Sequence, residues 1–272
     1  MSDDPIDRFL AFAGMLADSA AHVTLQHFRE GGAVADKSTN AVFDPVTEAD
    51  RQAEAAMRRL IRDRFPDHGI LGEEHGQEPG KSAYTWIIDP IDGTRSFIAG
   101  LPLWTTLIAL NDGTRPILGL IDQPYLGERF TGSIEGKAEL RTRNGVRSLK
   151  TRKSITRLKD AVFSTTSPEL FESAAEKRAL ERLVGGARLV RFGCDCYAYG
   201  LLAAGFIDVV VEAGLQPWDV QPFLPIVEAA GGVVASWEGG SAQEGGRVVA
   251  AANAALLAET LALVQSAASA QS

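Results

Sequence analysis

The sequence predicts a layered fold of the α/β or α+β class, in which helices pack against sheets. Two observations support this. Apolar residues recur at helical spacing in several long segments, and short apolar runs typical of buried strands lie between them. The chain has 272 residues, of which 45% are hydrophobic and 23% charged, so it can bury a substantial core.

Two amphipathic helices are predicted near the N-terminus. The first spans about Pro5 to Phe28, and the second runs from near Thr47, a residue type favoured at N-caps, to Arg64 before Pro66. Strands and helices then alternate. Strands are expected at 69–72, 84–89, 105–110, 117–123, 161–164, 188–192, 207–212, 233–236 and 248–251, and helices at 170–183, 197–204, 220–230 and 254–264.

We expect three parts along the chain. An N-terminal α+β part, residues 1–140, carries most of the acidic segments that could bind metal. A C-terminal α/β part, residues 141–265, carries Asp219. Residues 266–272 are rich in Ala, Ser and Gln and are expected to form a frayed tail.

Charge and cysteine content narrow the function classes. The formal net charge of −8 and the lack of a long basic run argue against nucleic acid as a partner. No apolar stretch approaches the ~20 residues that cross a bilayer, and the acidic N-terminus is unlike a secretory signal. Cys194 and Cys196 are one residue apart, a spacing that rarely forms a structural disulfide, so a cytoplasmic location is expected.

The most informative segment is the acidic end of a predicted apolar strand. Asp89 and Asp92 bracket a proline and precede Gly93, so negative charge is concentrated beside the core unless a cation compensates it. Oxygen ligands suit magnesium or manganese better than zinc. The alternative is a solvated turn with helix-capping aspartates. A helix that opens at Gly93 would favour the first interpretation, because its free N–H groups suit a phosphate.

Three other segments contain acids that could join this site. They are Glu73-Glu74 after an apolar strand, Asp219 before a hydrophobic helix, and the segment from Asp44 to Asp50 at another helix start. Each has a simpler interpretation, either a solvated pair or an N-cap. Together they supply carboxylates from separate parts of the chain, as a two-metal site requires.

These motifs resemble, in order and spacing, those of the inositol monophosphatase family. The resemblance covers roughly Phe9 to Val264 and implies that family's αβαβα sandwich. Its motifs stand here as Trp86-Ile87-Ile88-Asp89-Pro90-Ile91-Asp92-Gly93-Thr94, Trp218-Asp219-Val220, Glu228-Ala229-Ala230-Gly231-Gly232, Gly72-Glu73-Glu74 and Asp44-Pro45-Val46-Thr47-Glu48-Ala49-Asp50.

The resemblance implies a site for two or three Mg²⁺ ions. One ion would be held by Glu73, Asp89 and the carbonyl of Ile91, and a second by Asp89, Asp92 and Asp219. Glu73 would also support a third, weaker ion. The family suggests a homodimer.

It also implies how a phosphate ester would be cleaved. Backbone N–H groups of Gly93 and Thr94 would receive the phosphate, and the catalytic residues would be Asp44, Glu73 and Thr94. The Thr94 hydroxyl would lie near the attacking water and be oriented by Asp44. Lys37 would belong to a mobile loop beside the metals. Water would attack in line, without a covalent intermediate.

Three stretches, 95–106, 193–199 and 211–219, resemble the histidinol-phosphate phosphatase branch of this family. In this resemblance Arg95, Asp195 and Glu212 face the substrate. Histidinol phosphate carries an ammonium and an imidazole, which an acid at position 195 would bind better than a neutral polyol. Alternatively, Asp195 caps the helix that follows. Glu212 does not distinguish the two substrates, because inositol phosphatases also have an acid at this position. Trp218 stands where this branch often has Tyr, and this difference leaves the identity of the substrate open.

The leading hypothesis is therefore a magnesium-dependent histidinol-phosphate phosphatase of histidine biosynthesis. An inositol-1-monophosphatase or a small-molecule phosphatase of broader range is the alternative. A protein that binds a phosphate ester without hydrolysing it is a third hypothesis, which loss of a metal carboxylate would have favoured. All the metal carboxylates are present.

Overall fold

The computed structural model describes residues 5–31, 34–36 and 45–269. Helical segments form where the apolar periodicity predicts them, and the two N-terminal helices match the predictions closely, with Thr47 at the N-cap of the second. The described helices are α1 Pro5–His27, α2 Glu48–Arg64, α3 Thr94–Ile98, α4 Ala174–Gly186, α5 Tyr197–Ala203, α6 Pro217–Ala229 and α7 Ala254–Ser269.

The strands form two large sheets and one small pair. They are β1 Val34–Asp36, β2 Pro45–Thr47, β3 Gly69–Gly72, β4 Gly76–Glu78, β5 Thr85–Asp92, β6 Thr105–Asn111, β7 Pro116–Gln123, β8 Glu128–Ser133, β9 Ala138–Thr142, β10 Gly145–Ser148, β11 Val162–Thr165, β12 Leu189–Phe192, β13 Val209–Leu215, β14 Val233–Ser236 and β15 Gly246–Ala251. An eight-stranded sheet has the order β10-β9-β8-β7-β6-β5-β3-β4, and a five-stranded sheet has the order β12-β11-β13-β15-β14.

Helices and sheets alternate in five layers. Helices α1 and α2 cover one face of the eight-stranded sheet with an apolar cluster that includes Leu16, Met57 and Trp86. Helices α5 and α6 lie between the two sheets. Helices α4 and α7 cover the outer face of the five-stranded sheet. This arrangement confirms the predicted layered α/β class and the αβαβα sandwich.

Glycines let α6 approach the large sheet closely. A Cβ on Gly119 in β7 would lie 1.8 Å from the carbonyl oxygen of Pro222, and one on Gly132 in β8 would lie 2.4 Å from the Cα of Ile226. Any side chain at these positions would push the helix away. The close approach sets the position of α6 against the large sheet, and Asp219 lies in the first turn of this helix.

The structure departs from the predictions in its short strands and at its C-terminal helix. Strands β1, β2, β4, β8, β9 and β10 were not predicted, because they are short or rich in polar residues and therefore lack a clear apolar pattern. Helix α7 continues past its predicted end at Val264 to Ser269, and Ala267 is fully buried. Residues 266–269 are thus helical rather than frayed. Arg178 of α4 holds this end by donating to the carbonyl oxygen of Ala267.

Across the described part of the chain, no helix combines the length and apolar character needed to cross a membrane.

Candidate active site

The site begins at an irregularity in β5. Asp89 lies opposite Leu107 of β6, whereas Asp92, three residues later, lies opposite Thr105, only two residues away. In a regular strand, residues three apart point to opposite faces. The extra residue forms a bulge that returns Asp92 to the face of Asp89. The hydroxyl of Thr106 donates to the carbonyl oxygen of Pro90 inside the bulge, at 2.8 Å.

Asp219 completes a cluster of three carboxylates. Oxygen atoms of Asp89, Asp92 and Asp219 all lie within 4.8 Å of one another. Asp219 is in the first turn of α6, and one of its oxygens accepts the N–H of Gln216 at 2.7 Å, as in a capping box. The N-cap of α6 is Gln216, so Asp219 is not the N-cap that the simpler interpretation expected; it lies inside the first turn and joins the cluster.

Glu73 reaches the cluster from the neighbouring strand. Strand β3 runs parallel to β5, with Gly72 opposite Ile88, and the N–H of Glu73 donates to the carbonyl oxygen of Ile88 at 3.3 Å. This places Glu73 beside Asp89, the next residue of β5, and its side chain hydrogen-bonds to the Asp89 carboxyl.

The cluster is electrostatically unfavourable without a cation. Burial raises the pKa of Asp89 well above its usual range, and the charges of Glu73, Asp92 and Asp219 raise it further. Burial likewise raises the pKa of Asp92, together with the charges of Asp195 and Asp219. Crowded carboxylate oxygens of this kind fit a hard divalent ion, which would neutralise them. Their assignment as metal ligands, like that of the Ile91 carbonyl, stays a prediction.

The segment after the bulge turns sharply into α3. Gly93 is the N-cap of this short helix, with φ of 81°, a left-handed conformation that favours glycine. The Thr94 hydroxyl donates to the carbonyl oxygen of Ile91 at 3.1 Å. A helix start directly after the acids was expected, and the structure has one.

A cavity of about 240 Å³ opens beside the cluster. It joins residues from both parts of the chain, and its lining mixes acids, hydroxyls and apolar side chains. The lining residues are Asp92, Gly93, Thr94, Arg95, Thr166, Leu170, Asp195, Cys196, Tyr199, Glu212, Ala213, Gly214, Leu215 and Asp219. The site residues predicted within 93–95, together with Asp92, Asp195, Glu212 and Asp219, therefore share one cavity.

Asp195 lies against the start of α3. A Cβ on Gly93 would come within 3.1 Å of the Asp195 carboxylate, and Ser96 hydrogen-bonds to that carboxylate. Burial raises the pKa of Asp195 to about 6, and Arg95 and Ser96 oppose the rise. Helix α5 has Cys196 at its N-cap and no side-chain capping bond, so Asp195 does not cap it as the alternative interpretation expected.

Glu212 is held by two consecutive threonines. Its carboxylate accepts the hydroxyl of Thr165 at 3.1 Å, and the N–H and hydroxyl of Thr166 at 2.8 and 3.0 Å. Burial raises the pKa of Glu212 to about 8, and the Thr166 and Thr165 hydrogen bonds oppose the rise. The sequence analysis did not single out these threonines. Their only signal is a pair of hydroxyl residues at a strand end.

Several residues complete the environment of the site. Cys194 and Cys196 are free thiols, and the N–H of Cys196 donates to Asp92 at 2.8 Å.

Tyr199 lines the cavity as well, and the sequence analysis did not single it out as a site residue. It is fully buried against the ring of Phe223, and its hydroxyl has no hydrogen-bond partner among the residues that the structure describes. Arg95 is exposed at the cavity and lies 4.0 Å from Glu169.

Two predicted site residues, Lys37 and Asp44, lie outside the described residues.

Comparison with known proteins gives the family. The model of the inositol monophosphatase family matches residues 6–269, almost the whole chain. The chain belongs to the inositol monophosphatase family. The resemblance inferred from the motifs is thereby confirmed. Enzymes of this family are metal-dependent phosphatases, and this member has an acidic cluster formed by Asp89, Asp92 and Asp219.

This chain is similar to several phosphatases, and their names do not all point to the same substrate. A bifunctional phosphatase IMPL2 of Arabidopsis thaliana chloroplasts is 44% identical over 88% of this chain and 67% of its own length. A histidinol-phosphatase of Chlorobaculum parvum is 37% identical over 91% of this chain and 93% of its own. The structure of an inositol monophosphatase from Zymomonas mobilis superposes with a TM-score of 0.84 and 37% identity, over 96% of this chain and 99% of the other.

Proposed function

We propose that this protein is a magnesium-dependent histidinol-phosphate phosphatase, which converts L-histidinol phosphate and water to L-histidinol and phosphate. One observation carries the choice of substrate. Two acids, the half-buried Asp195 and the buried Glu212, line the same cavity as Asp92 and Asp219 of the carboxylate cluster. A phosphate ester placed with its phosphorus at the cluster would therefore have its organic part among acids.

Magnesium is the metal that the donor set suits best. Glu73, Asp89, Asp92, Asp219 and the Ile91 carbonyl would hold two or three ions through hard oxygen atoms. When bound, the ions supply positive charge that offsets the phosphate and acidifies water. Burial, together with the charges of the neighbouring acids, raises the pKa of Asp89, and this supports the assignment because a cation offsets both effects.

The start of α3 would bind the phosphoryl group. The N–H groups of Gly93 and Thr94 would receive its oxygens. The Thr94 hydroxyl, which now donates to Ile91, would orient the attacking water, with Asp44 and Lys37 assisting from the segment before α2. The water oxygen forms a bond to phosphorus as the ester P–O bond breaks. One proton of the water would end on the departing histidinol oxygen, and the other would stay with the phosphate.

Asp195 and Glu212 would bind the cationic part of the substrate. A carboxylate paired with an ammonium or imidazolium group forms a strong, charge-assisted hydrogen bond. The name of the Chlorobaculum parvum relative supports this substrate. Glu212 enters the cavity with its orientation set by Thr165 and Thr166, which leaves little freedom for it to turn away.

An inositol phosphate is the second candidate substrate. The Zymomonas mobilis protein is named an inositol monophosphatase, and its sequence identity to this chain, 37%, equals that of the Chlorobaculum parvum histidinol-phosphatase. A buried acid such as Glu212 also accepts hydrogen bonds from polyol hydroxyls. Asp195 discriminates between the two. Its charge beside Gly93 favours a cation and gives a neutral ring no comparable partner.

We also propose that the protein forms a homodimer. Strand β12 is an edge of the five-stranded sheet, and two of its apolar side chains, Leu189 and Phe192, are exposed. Exposed apolar edges are usually covered. Analytical ultracentrifugation of wild type and Phe192→Asp tests this: a dimer that becomes a monomer supports it, and a monomeric wild type contradicts it.

Turnover measurements test the proposed function directly. Histidinol phosphate and inositol 1-phosphate are compared at saturating Mg²⁺, with a chelator-treated sample as the control. We expect metal-dependent hydrolysis and a higher kcat/KM for histidinol phosphate. A large preference for the inositol ester would select the second candidate. Binding of both esters without any metal-dependent hydrolysis would instead identify a non-catalytic binding protein.

A further inference from the structure

Helix α2 buries a charged stripe. Asp50, Glu54 and Arg58 are spaced by four residues, so they lie on one face of the helix, and all three are at most 4% exposed. Ionisable side chains are rarely buried unless they have specific partners. The neighbouring face carries the apolar residues Ala53, Met57 and Ile61, which pack in the core as expected.

The partners of Glu54 include backbone atoms of one turn, besides the side chains of Arg58 and His75. One carboxylate oxygen of Glu54 accepts the N–H of Glu74 at 2.7 Å, and the other accepts the N–H of His75 at 3.1 Å. Arg58 bonds to Glu54 at 2.7 Å, and it also donates to the carbonyl oxygen of Gly76. Two side chains of α2 therefore hold Glu74 and His75 of the turn between β3 and β4, and Gly76 at the start of β4.

The same turn begins with Glu73. On one side Glu73 is tied to β5, because its N–H donates to the carbonyl oxygen of Ile88. On the other side, the next N–H along the chain is held by Glu54. The position of the Glu73 backbone relative to Asp89 is thus fixed from two directions.

Gly72 makes room for this contact. A Cβ at Gly72 would lie 2.2 Å from a carboxylate oxygen of Glu54 and 2.9 Å from a guanidinium nitrogen of Arg58. Only glycine lets the buried carboxylate come this close to β3. The glycine of the Gly72-Glu73-Glu74 motif is therefore explained by Glu54 rather than by a turn conformation.

We infer that Glu54 is a positioning residue of the metal site: through the backbone of the turn, it holds Glu73 against Asp89. The inference rests on the proposed function, in which Glu73 is a metal ligand. Glu54 touches neither metal nor substrate in this role. Arg58 compensates the buried charge of Glu54 and extends the same hold to Gly76. Groups behind the ligands of a metal site commonly change metal affinity by about 10- to 100-fold when removed.

Metal binding in the Glu54→Gln variant tests the inference. Binding of Mn²⁺, a spectroscopic substitute for Mg²⁺, is followed by electron paramagnetic resonance, and the Mg²⁺ concentration for half-maximal activity is measured alongside. We expect roughly tenfold weaker binding of at least one ion, with kcat largely recovered at saturating metal. Wild-type Mn²⁺ affinity in a folded variant would overturn the inference.

Arg62→Ala is the matched control. Arg62 lies on the same helix and pairs with Glu78 of β4 at 2.6 Å, so its loss removes an ion pair to the same hairpin without touching residues 74–76. We expect unchanged Mn²⁺ binding. An equal loss of affinity in this variant would show that any weakening of the hairpin matters, and would overturn a specific role for Glu54.

A double-mutant cycle with Glu73→Gln separates positioning from general stability. If Glu54 acts through Glu73, adding Glu54→Gln to Glu73→Gln produces no further loss of Mn²⁺ affinity. Fully additive losses would contradict the inference. Should Glu54→Gln fail to fold because Arg58 is left buried and poorly paired, the neutral pair Glu54→Gln/Arg58→Met replaces it in the same measurements.

These outcomes differ from failure of the proposed function. A wild-type protein that shows no metal-dependent hydrolysis would refute the proposed function. A wild-type enzyme that binds Mn²⁺ and turns over, with a Glu54→Gln variant that binds Mn²⁺ equally well, would refute only the positioning role.

Discussion

The N–H of Cys196 donates to a carboxylate oxygen of Asp92 at 2.8 Å, across 104 positions of sequence. Asp92 ends a strand of the large sheet, and Cys196 is the N-cap of α5 in the middle layer. Because Asp195 directly precedes Cys196, the same contact brings the proposed substrate acid to the carboxylate cluster. The cavity between them is therefore built jointly by residues from the two halves of the chain.

Replacing Asp92 by Asn should abolish turnover without unfolding the protein. The amide oxygen can still accept the N–H of Cys196, but the residue no longer offers a charged ligand. We expect kcat/KM to fall by at least about 100-fold. In metal-free protein the melting temperature should rise, because burial and the charges of Asp195 and Asp219 disfavour the ionised form of Asp92. Undiminished activity would refute the ligand set.

The Asp195→Asn variant tests substrate choice. Asparagine keeps the size of the side chain and can still accept a hydrogen bond from Ser96, so the start of α3 should stay in place. Loss of a charged hydrogen bond worth about 1.5–3 kcal/mol predicts roughly 10- to 100-fold lower kcat/KM for histidinol phosphate. Glycerol 2-phosphate, a phosphate ester whose alcohol part is uncharged, is the control and should be much less affected. Equal losses on both esters would exclude the role in substrate choice.

The sequence was informative where the chemistry is local. Asp89, Asp92 and Gly93 stand in one short segment, so their type and order predicted a cation site beside a helix start, and the structure brings them together. The bulge that places both acids on one face has no separate sequence signal. Their spacing of three residues would put them on opposite faces of a regular strand.

Residues that act over long sequence separations were missed. Thr165 and Thr166 contact Glu212 only because β11 and β13 are neighbours in the sheet. Glu54 has the spacing of an ordinary polar position on an amphipathic helix, and periodicity alone predicts such a position to be solvated. Its burial depends on the turn that packs over it. Partners of this kind follow from topology, which a single sequence does not give.

Glu212 should make stability depend on pH. Burial raises its pKa in the folded protein to about 8, well above the 4.5 of an unperturbed side chain. Between these values the folded state binds more protons than the unfolded state, so the free energy of unfolding falls as pH rises. Urea unfolding of metal-free protein at pH 5, 6.5 and 8 should show a smaller decline for Glu212→Gln than for wild type. Identical declines would contradict this contribution.

Gly119→Ala tests whether the approach of α6 to the large sheet matters for the site. The added Cβ would overlap the carbonyl oxygen of Pro222, so the helix must shift, and Asp219 in its first turn must shift with it. We expect a loss of about 1–3 kcal/mol in the free energy of unfolding, accompanied by weaker Mn²⁺ binding.

Gly185→Ala is the matched control for this substitution. Gly185 lies within α4, and a Cβ there meets nothing within 4 Å. Alanine is the better helix former, so this variant should be unchanged or more stable by up to about 1 kcal/mol, with normal Mn²⁺ binding. If Gly119→Ala loses stability but binds Mn²⁺ normally, then Asp219 keeps its place independently of the packing between α6 and β7. Loss of both properties in Gly119→Ala alone would instead link the close packing of α6 to the geometry of the carboxylate cluster.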